Sequence, residues 1–263
     1  QACVMNRSAM LAGTAATMQC APTPGTQYGS LLPSDLDGAV PGVAGTTAAP
    51  PAGSPNYYLA LYSNTQHTLF KFHVDWNTPA NSTFTGPAFV DVSSFNTACG
   101  GGGCIPQGGT TQKLDSLADR LMYRLAYRNF GGTESLVASH SVDPGNGTSG
   151  VRWYEIRSPG SSPFVYQQGT FAPDASYRWM PSIAQDKNGN IAVGYSESSS
   201  TMHPSIYYTG RLSTDPLNTM QSESPIITGG GSQLPNLGRW GDYSSMSVDP
   251  TDDCTFWYTT EYL

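Results

Sequence analysis

The strongest constraint on the fold of this chain is a segment that recurs at intervals of about 60 residues. Residues 181–196 (PSIAQDKNGNIAVGYS) align without gaps with residues 244–259 (SSMSVDPTDDCTFWYT), and Asp186 then falls on Asp249. Looser matches occur upstream at residues 124–132 (RLAYRNFGG) and 58–74 (YLALYSNTQHTLFKFHV). Repetition at this period is typical of proteins built from similar supersecondary units that pack against their neighbours.

Each repeat contains four short segments with the alternating pattern of half-buried strands, separated by turns rich in Gly, Asn or Asp. In the second repeat these segments are YRLAY (123–127), SLVASHSV (135–142), GVRWYEIR (150–157) and FVYQQGTF (164–171). Four antiparallel strands at this period are typical of a β-propeller blade. We therefore predict an all-β chain with four-stranded antiparallel blades from about residue 55 onward, and helix limited to a short segment near residues 6–12. A β-sandwich with an accidental internal similarity is the alternative.

The blades are predicted to form one domain, because an all-β chain of 263 residues commonly folds as a single unit. The boundaries place a partial blade with a short disulfide-closed helix at 1–50 and blades at 55–115, 116–173, 174–236 and 237–263, the last of them incomplete. About five blades in this chain are then predicted to be part of a larger ring of six or seven. A closed ring of five blades is the alternative.

Five cysteines are present, so at least one lacks a partner within the chain. Cys3 and Cys20 flank a short loop, and a disulfide closing it would stabilise the fold by ~3 kcal/mol on chain-entropy grounds. Cys99 and Cys104 flank four glycines, which are flexible enough to let the two thiols meet. We predict disulfides Cys3–Cys20 and Cys99–Cys104, which leaves Cys254 over.

Composition excludes several classes of function. Lys and Arg number 12 against 19 acidic residues, and the net charge is −7. So few basic residues cannot form the stripe that nucleic acid requires. No apolar run reaches the ~18 residues of a membrane span, so neither nucleic acid nor membrane is expected as a partner. The low charge and the abundance of Tyr, Ser and Gly indicate a secreted, extracellular β-protein.

Two turns occupy equivalent points of the repeat and reproduce part of the Asp-box pattern of sialidase-like propellers, Ser-x-Asp-x-Gly-x-x-Trp/Phe. The matching residues are Ser182, Asp186 and Gly189 in DKNGN, and Ser245, Asp249 and Trp257 around DPTDD. The Asp side chain of such a turn accepts backbone N–H bonds while an aromatic side chain packs beneath it. The predicted role is architectural.

Nearly the whole chain resembles a group of secreted bacterial sialidase-like β-propeller proteins of unknown function. The resemblance rests on RWGDYSSMSVDP (239–250), CTFWYTTEY (254–262), LDSLADRLMYRLAYRNFG (114–131) and GVRWYEIR (150–157). It implies further blades before Gln1 and, after Leu263, another strand and a cysteine that pairs with Cys254, all in segments of the same polypeptide. It implies little about activity.

Ligands of propellers lie over the central channel, near the loops that lead into the innermost strands. These loops are predicted to be LLPSDLDG (31–38), LDSLADR (114–120), SYRWMPS (176–182) and GRWGDYSS (238–245). Three of them carry an arginine, namely Arg120, Arg178 and Arg239. Converging guanidinium groups would bind a carboxylate or sulfate, as the arginine triad of sialidases does. The alternative is that each arginine pairs with an Asp of a neighbouring loop and ties blades together.

Acidic side chains on the same loops are candidates for catalysis. The candidate catalytic residues are Asp37, Asp119, Asp242 and Tyr243, with Asp35 and Asp115 on the same rim. Two carboxylates ~5 to 9 Å apart could hydrolyse a glycosidic bond. SDLDG (34–38) is also similar to the start of a calcium loop, so a structural calcium is an alternative to a simple Asx turn. No other cofactor or metal is predicted.

Aromatic residues beside the arginines are candidates for binding sugar. Trp179, Trp240 and Tyr243 offer flat rings next to polar groups, and His203 lies on a connection that could approach the rim. Packing between blades is the alternative for both tryptophans. The sequence thus predicts a propeller that binds a polysaccharide, glycan or other polymer at its rim. The alternatives are a glycoside hydrolase or lyase that uses rim carboxylates and arginines, and a scaffold for interactions.

Overall fold

The computed structural model describes residues 1–23, 25–37, 49–234 and 238–263. Of these described residues, 47% are in strands and 6% in helices, which confirms the all-β prediction. Parts of the predicted blades, at Pro24, 38–48 and 235–237, lie outside the described residues. None of the helices in the described ranges has the length and apolar character of a membrane-spanning helix.

The first half of the chain contributes β1 to β9. Their bounds are β1 (Ala2–Met5), β2 (Met18–Ala21), β3 (Leu32–Leu36), β4 (Asn56–Leu61), β5 (Gln66–His73), β6 (Thr83–Asp91), β7 (Asn96–Thr97), β8 (Gly103–Gln107) and β9 (Thr110–Asp115). One α-helix, α1 (Arg7–Leu11), and three 3₁₀ turns, Thr26–Tyr28, Pro79–Asn81 and Ala98–Gly101, lie among these strands.

The second half contributes β10 to β19. Their bounds are β10 (Leu125–Asn129), β11 (Glu134–Asp143), β12 (Gly150–Arg157), β13 (Phe164–Phe171), β14 (Tyr177–Gln185), β15 (Ile191–Ser198), β16 (Ser205–Arg211), β17 (Ser224–Ile227), β18 (Ser245–Val248) and β19 (Phe256–Thr259).

Three runs of four consecutive strands, β3–β6, β10–β13 and β14–β17, are each paired in sequence order. All pairs within a run are antiparallel, as the alternating patterns predict. The first run begins at Leu32, inside the segment predicted to be a partial blade. The hairpin β18–β19 matches the start of a further run.

The first two runs join into one curled nine-stranded sheet, which antiparallel blades alone do not predict. Strand β3 pairs with β10 in parallel, with Ser34, Asp35 and Leu36 opposite residues 125–127. Each of these two strands is the first of its run. Strand β7 pairs with Val142 and Asp143 of β11, beyond the stretch of that strand that pairs with β10, and β8–β9 forms a separate hairpin.

Both predicted disulfides are present, Cys3–Cys20 and Cys99–Cys104. Cys3 lies opposite Cys20 in the β1–β2 hairpin, whose loop contains the helix predicted near residues 6–12. That helix begins because the Asn6 side chain accepts the N–H of Ala9 at 3.0 Å, an N-cap bond.

The apolar core lies between the runs. One buried cluster joins the first two runs through Leu59, Leu69, Leu125, Leu136 and Tyr154. A second cluster joins the second and third runs, and Trp153, Ile183 and Val193 belong to it. Burying a Leu, Val or Ile side chain contributes roughly 1.5–3 kcal/mol, so these two clusters hold neighbouring runs together.

The two predicted Asp turns have their expected local structure. Asp186 accepts the backbone N–H groups of Asn188 and Asn190, both at 2.8 Å. Asp249 accepts the N–H of Thr251 at 2.8 Å and the indole N–H of Trp257 at 2.9 Å. Each carboxylate therefore closes its own turn and serves architecture.

The final hairpin is fastened to the second and third runs by buried Arg128. Its guanidinium donates to both carboxylate oxygens of Asp253, at 2.9 and 2.6 Å, and to the carbonyl of Gln185 at 2.8 Å. Cys254, the next residue along the chain, is in no disulfide among the described residues, and its thiol donates to Asp186 at 3.6 Å. Its predicted partner in a later segment stays a prediction.

Candidate functional site

An open cleft of about 300 Å³ forms where three segments that precede strands meet. Leu31 and Leu32 contribute from the start of β3, Tyr123 from just before β10, and Tyr243 from just before β18. The two tyrosines keep 42% and 49% of their surface exposed. The cleft therefore presents two accessible aromatic side chains beside an aliphatic surface.

Arg120 is the charged residue that lines the cleft, together with Ser30 and Leu121. Its Nε and Nη2 donate to the two carboxylate oxygens of Asp119 at 2.8 and 2.9 Å. This pair lowers the pKa of Asp119, chiefly through the hydrogen bond from Arg120. The pKa of Arg120 is raised by the same bond and, to a smaller extent, by Tyr243. Both groups therefore stay charged and locked to each other near neutral pH.

Asp35 does not line the cleft but contacts Tyr123, whose hydroxyl donates to it at 3.4 Å. Burial, followed by the charge of Asp35, raises the pKa of Tyr123. The carboxylate also accepts from Arg124, with Nε to Oδ1 at 3.0 Å and Nη2 to Oδ1 at 2.5 Å. Arg124 thus balances the charge of Asp35, and the Asp35 carboxylate holds the side chain of Tyr123 in place at the cleft.

Asp37, a candidate for catalysis, is buried away from the cleft. It pairs with Arg124 at 3.2 Å and accepts the N–H of Val248 at 2.9 Å. Burial raises its pKa. These contacts link β3 and β10 to the final hairpin, so we assign Asp37 a structural role. Gly38, the last residue of the calcium-like SDLDG motif, lies outside the described residues.

Arg239 and Asp242 form a local pair just before Tyr243. Arg239 Nε donates to Asp242 Oδ1 at 2.9 Å, and Nη2 donates to Oδ2. Asp242 has φ +57° and follows Gly241 at φ +54°, so the pair closes a tight left-handed turn. This turn fixes the side chain of Asp242 and thereby the position of the next residue, Tyr243.

Arg178 lies in a different environment, with a side chain that is 0% exposed. Its guanidinium donates to Glu223 at 2.5 and 2.8 Å, to Asp174 at 2.9 Å and to Glu197 at 3.1 Å. All three carboxylates belong to the same run or to the loop before it. All three predicted arginines are therefore paired with carboxylates, but within their own loop or run and not with an Asp of a neighbouring loop, as the alternative predicted.

The three carboxylates around Arg178 bring ligand atoms within 4.8 Å of one another. Burial raises the pKa of Glu197 to about 7. Burial would also raise the pKa of Glu223, but hydrogen bonds from Arg178 and Tyr195 lower it overall. Tyr195 is buried and donates to Glu223 at 2.6 Å. Arg178 already supplies the positive charge that these three carboxylates need. We therefore interpret the cluster as an internal ion-pair network and not as a metal site.

Both predicted tryptophans are buried, which supports the packing alternative. Trp179 is 0% exposed and Trp240 5%, with ring centroids 6.4 Å apart. They pack with Ile105 and Leu114 of the β8–β9 hairpin. The Trp240 indole N–H donates to Ser196 at 3.0 Å. Neither ring is accessible to a ligand.

The two remaining rim residues have local partners. His203 is half-buried, with Nδ1 2.8 Å from the hydroxyl of Ser232, and does not line the cleft. Asp115 accepts the N–H of Leu117 at 2.9 Å. Of the predicted site residues, Arg120 and Tyr243 meet at the cleft, and Asp119 joins them through its bond to Arg120.

Sequence reasoning missed Tyr123, and it placed Leu31 and Leu32 in a rim loop without selecting them as site residues. Tyr123 is the first residue of the predicted strand YRLAY, and tyrosine is common in strands, so its residue type did not mark it as a site residue. Its position directly after the rim loop 114–120 was a signal that could have identified it. Comparisons of the chain with protein-family models, with curated proteins and with solved structures gave no match.

Proposed function

We propose that this chain is part of a secreted β-propeller that binds a glycan at the cleft between Tyr123 and Tyr243. The observation that carries the proposal is the pair of exposed tyrosines beside an aliphatic surface and a fixed arginine. Aromatic side chains offer large apolar area together with a polar end, and few well-placed polar groups orient a ligand in a pocket. Sugar rings, which have apolar C–H faces and a rim of hydroxyls, suit this lining.

The propeller interpretation is supported by the strand order. Three runs of four antiparallel strands follow one another, and β3 and β10 open their runs in the same direction. Blades arranged around a common axis have this order. An experimental structure in which β3, β10, β14 and β18 do not surround one axis would contradict it. Secretion is supported by the two disulfides, since such bonds persist in oxidising compartments.

Binding without catalysis is favoured by the state of the acids near the cleft. Asp119 is held by Arg120 with a lowered pKa, and Asp242 is held by Arg239. A glycosidase that uses two carboxyl groups needs one of them protonated at its working pH. Glu197 has the raised pKa that such an acid requires, but its side chain is buried behind Arg178 and is 5% exposed.

The proposal is tested by screening the protein on a glycan array and measuring hits by isothermal titration calorimetry. We expect Tyr123→Ala and Tyr243→Ala each to weaken binding at least tenfold, or about 1.4 kcal/mol, because each removes an aromatic contact. Tyr208→Ala is the matched control, since Tyr208 is 44% exposed on β16 and lies outside the cleft. Absence of binding to any glycan, or an equal loss in the control, would contradict the proposal.

A further inference from the structure

We infer that the glycan bound at the cleft is an uncharged polysaccharide. This inference rests on the proposed function and names the ligand class of the same site. Sialidase-like sites select acidic sugars through arginines that face the ligand. Here the arrangement of charges around the cleft points to the opposite selectivity.

The first reason is the state of Arg120. An arginine recognises a carboxylate or sulfate best through two parallel N–H bonds. Two of the three guanidinium nitrogens of Arg120 already make such a bidentate pair with Asp119. An acidic sugar would have to displace Asp119, whose side chain is 53% exposed and would then face the ligand's charge. A hydroxyl group needs only the remaining N–H donors.

The second reason is the balance of charge at the cleft. Each arginine in or beside it has its own carboxylate: Arg120 with Asp119, Arg124 with Asp35, and Arg239 with Asp242. No surplus of positive charge is left at these pairs to attract an anion. The chain as a whole carries a net charge of −7, whose long-range field repels a polyanion.

The third reason is the chemistry of the lining. Besides Arg120, the polar groups are the hydroxyls of Ser30, Tyr123 and Tyr243. Those of Ser30 and Tyr243 can both donate and accept, whereas that of Tyr123 donates to Asp35 and can accept from a ligand. Leu31, Leu32 and Leu121 supply the rest of the lining. At about 300 Å³ the cleft lies at the small end of ligand pockets, so it fits a short stretch of a polymer.

The test compares one polymer backbone in charged and uncharged forms. Binding of polygalacturonate and of its fully methyl-esterified form is measured by calorimetry, alongside neutral xylo-, gluco- and manno-oligosaccharides and sulfated dextran with its parent dextran. We expect at least one uncharged ligand to bind, the esterified form to bind better than the acid form, and the affinity to change less than twofold between 50 and 500 mM NaCl.

A gain-of-function variant sharpens the test. Asp119→Asn removes the carboxylate that pairs with Arg120 and frees Nε and Nη2 of Arg120 to bind an acidic group of the ligand. We therefore expect this variant to bind the acidic ligands at least fivefold more tightly. Asp91→Asn is its matched control, because Asp91 is an exposed acid at the end of β6 whose carboxylate pairs with Gln66. Tighter, salt-sensitive binding of the acidic forms by the unmodified protein would overturn the inference but leave glycan binding intact. Absence of binding to every polymer would overturn both.

Discussion

Arg120 and Arg178 stand in similar sequence contexts, each just before or at the start of a strand, yet their surroundings differ. Arg120 is partly exposed and has one carboxylate partner, Asp119, beside an open cleft. Arg178 is fully buried and has three carboxylate partners. Burial and the number of its carboxylate partners therefore decide what each arginine does. Arg178 links the strands of its run through ion pairs, whereas Arg120 lines the exposed cleft.

The largest expected effect is on stability at Arg178. Arg178→Ala leaves Glu197 and Glu223 buried without their cation, so we expect the free energy of unfolding to fall by about 3–5 kcal/mol. Urea unfolding followed by tryptophan fluorescence measures it. Because such a loss approaches the whole stability of many domains, Arg178→Lys, which keeps the charge, is the second variant. A loss below 1 kcal/mol in Arg178→Ala would show that the cluster contributes little.

A smaller effect is expected from pH. Burial raises the pKa of Glu197 from 4.5 to about 7, so the folded state binds a proton more tightly than the unfolded state does. This stabilisation is full below pH 4.5 and is lost as the pH rises through 7, with a magnitude of about 1–3 kcal/mol.

Glu197→Gln should flatten that slope of unfolding free energy between pH 5 and 8. Glycan affinity at the cleft should stay constant over the same interval, because the pKa of Asp119 is lowered and that of Tyr123 is raised. The same slope in Glu197→Gln as in the unmodified protein would assign the pH dependence to other groups.

The smallest effect is expected from Arg120→Ala on stability. The pair with Asp119 is partly exposed, and exposed ion pairs contribute at most about 1 kcal/mol. We expect a change below that value in the same urea experiment, together with a several-fold loss of glycan affinity from the lost N–H donors. A stability loss as large as that of Arg178→Ala would remove the contrast between the two arginines.

Local signals made much of the fold predictable. Strand alternation, the Asp turns, the helix capped by Asn6 and the two disulfides all depend on residues close in sequence or on cysteine spacing. The parallel pairing of β3 with β10 depends on residues about 90 positions apart, and no local pattern encodes it.

The site was predictable only in part for the same reason. The sequence identified Arg120 and Tyr243 as rim residues, and both line the cleft. It could not distinguish exposed Tyr243 from buried Trp240, three positions away in the same loop, because their burial is decided by the β8–β9 hairpin that covers Trp240. The partners of the arginines likewise depend on distances that only the folded chain sets.

The cleft is assembled from residues 30–32, from residues 120, 121 and 123, and from residue 243, which are distant in sequence. No part of the chain that lacks one of these segments contains the whole site. If a polymer contacts all three, it links the first run, the second run and the final hairpin from outside, so its binding energy adds directly to the resistance of the chain against local opening. Protection of β18 from hydrogen exchange should then rise with ligand concentration, and the glycan would act as a removable cross-link.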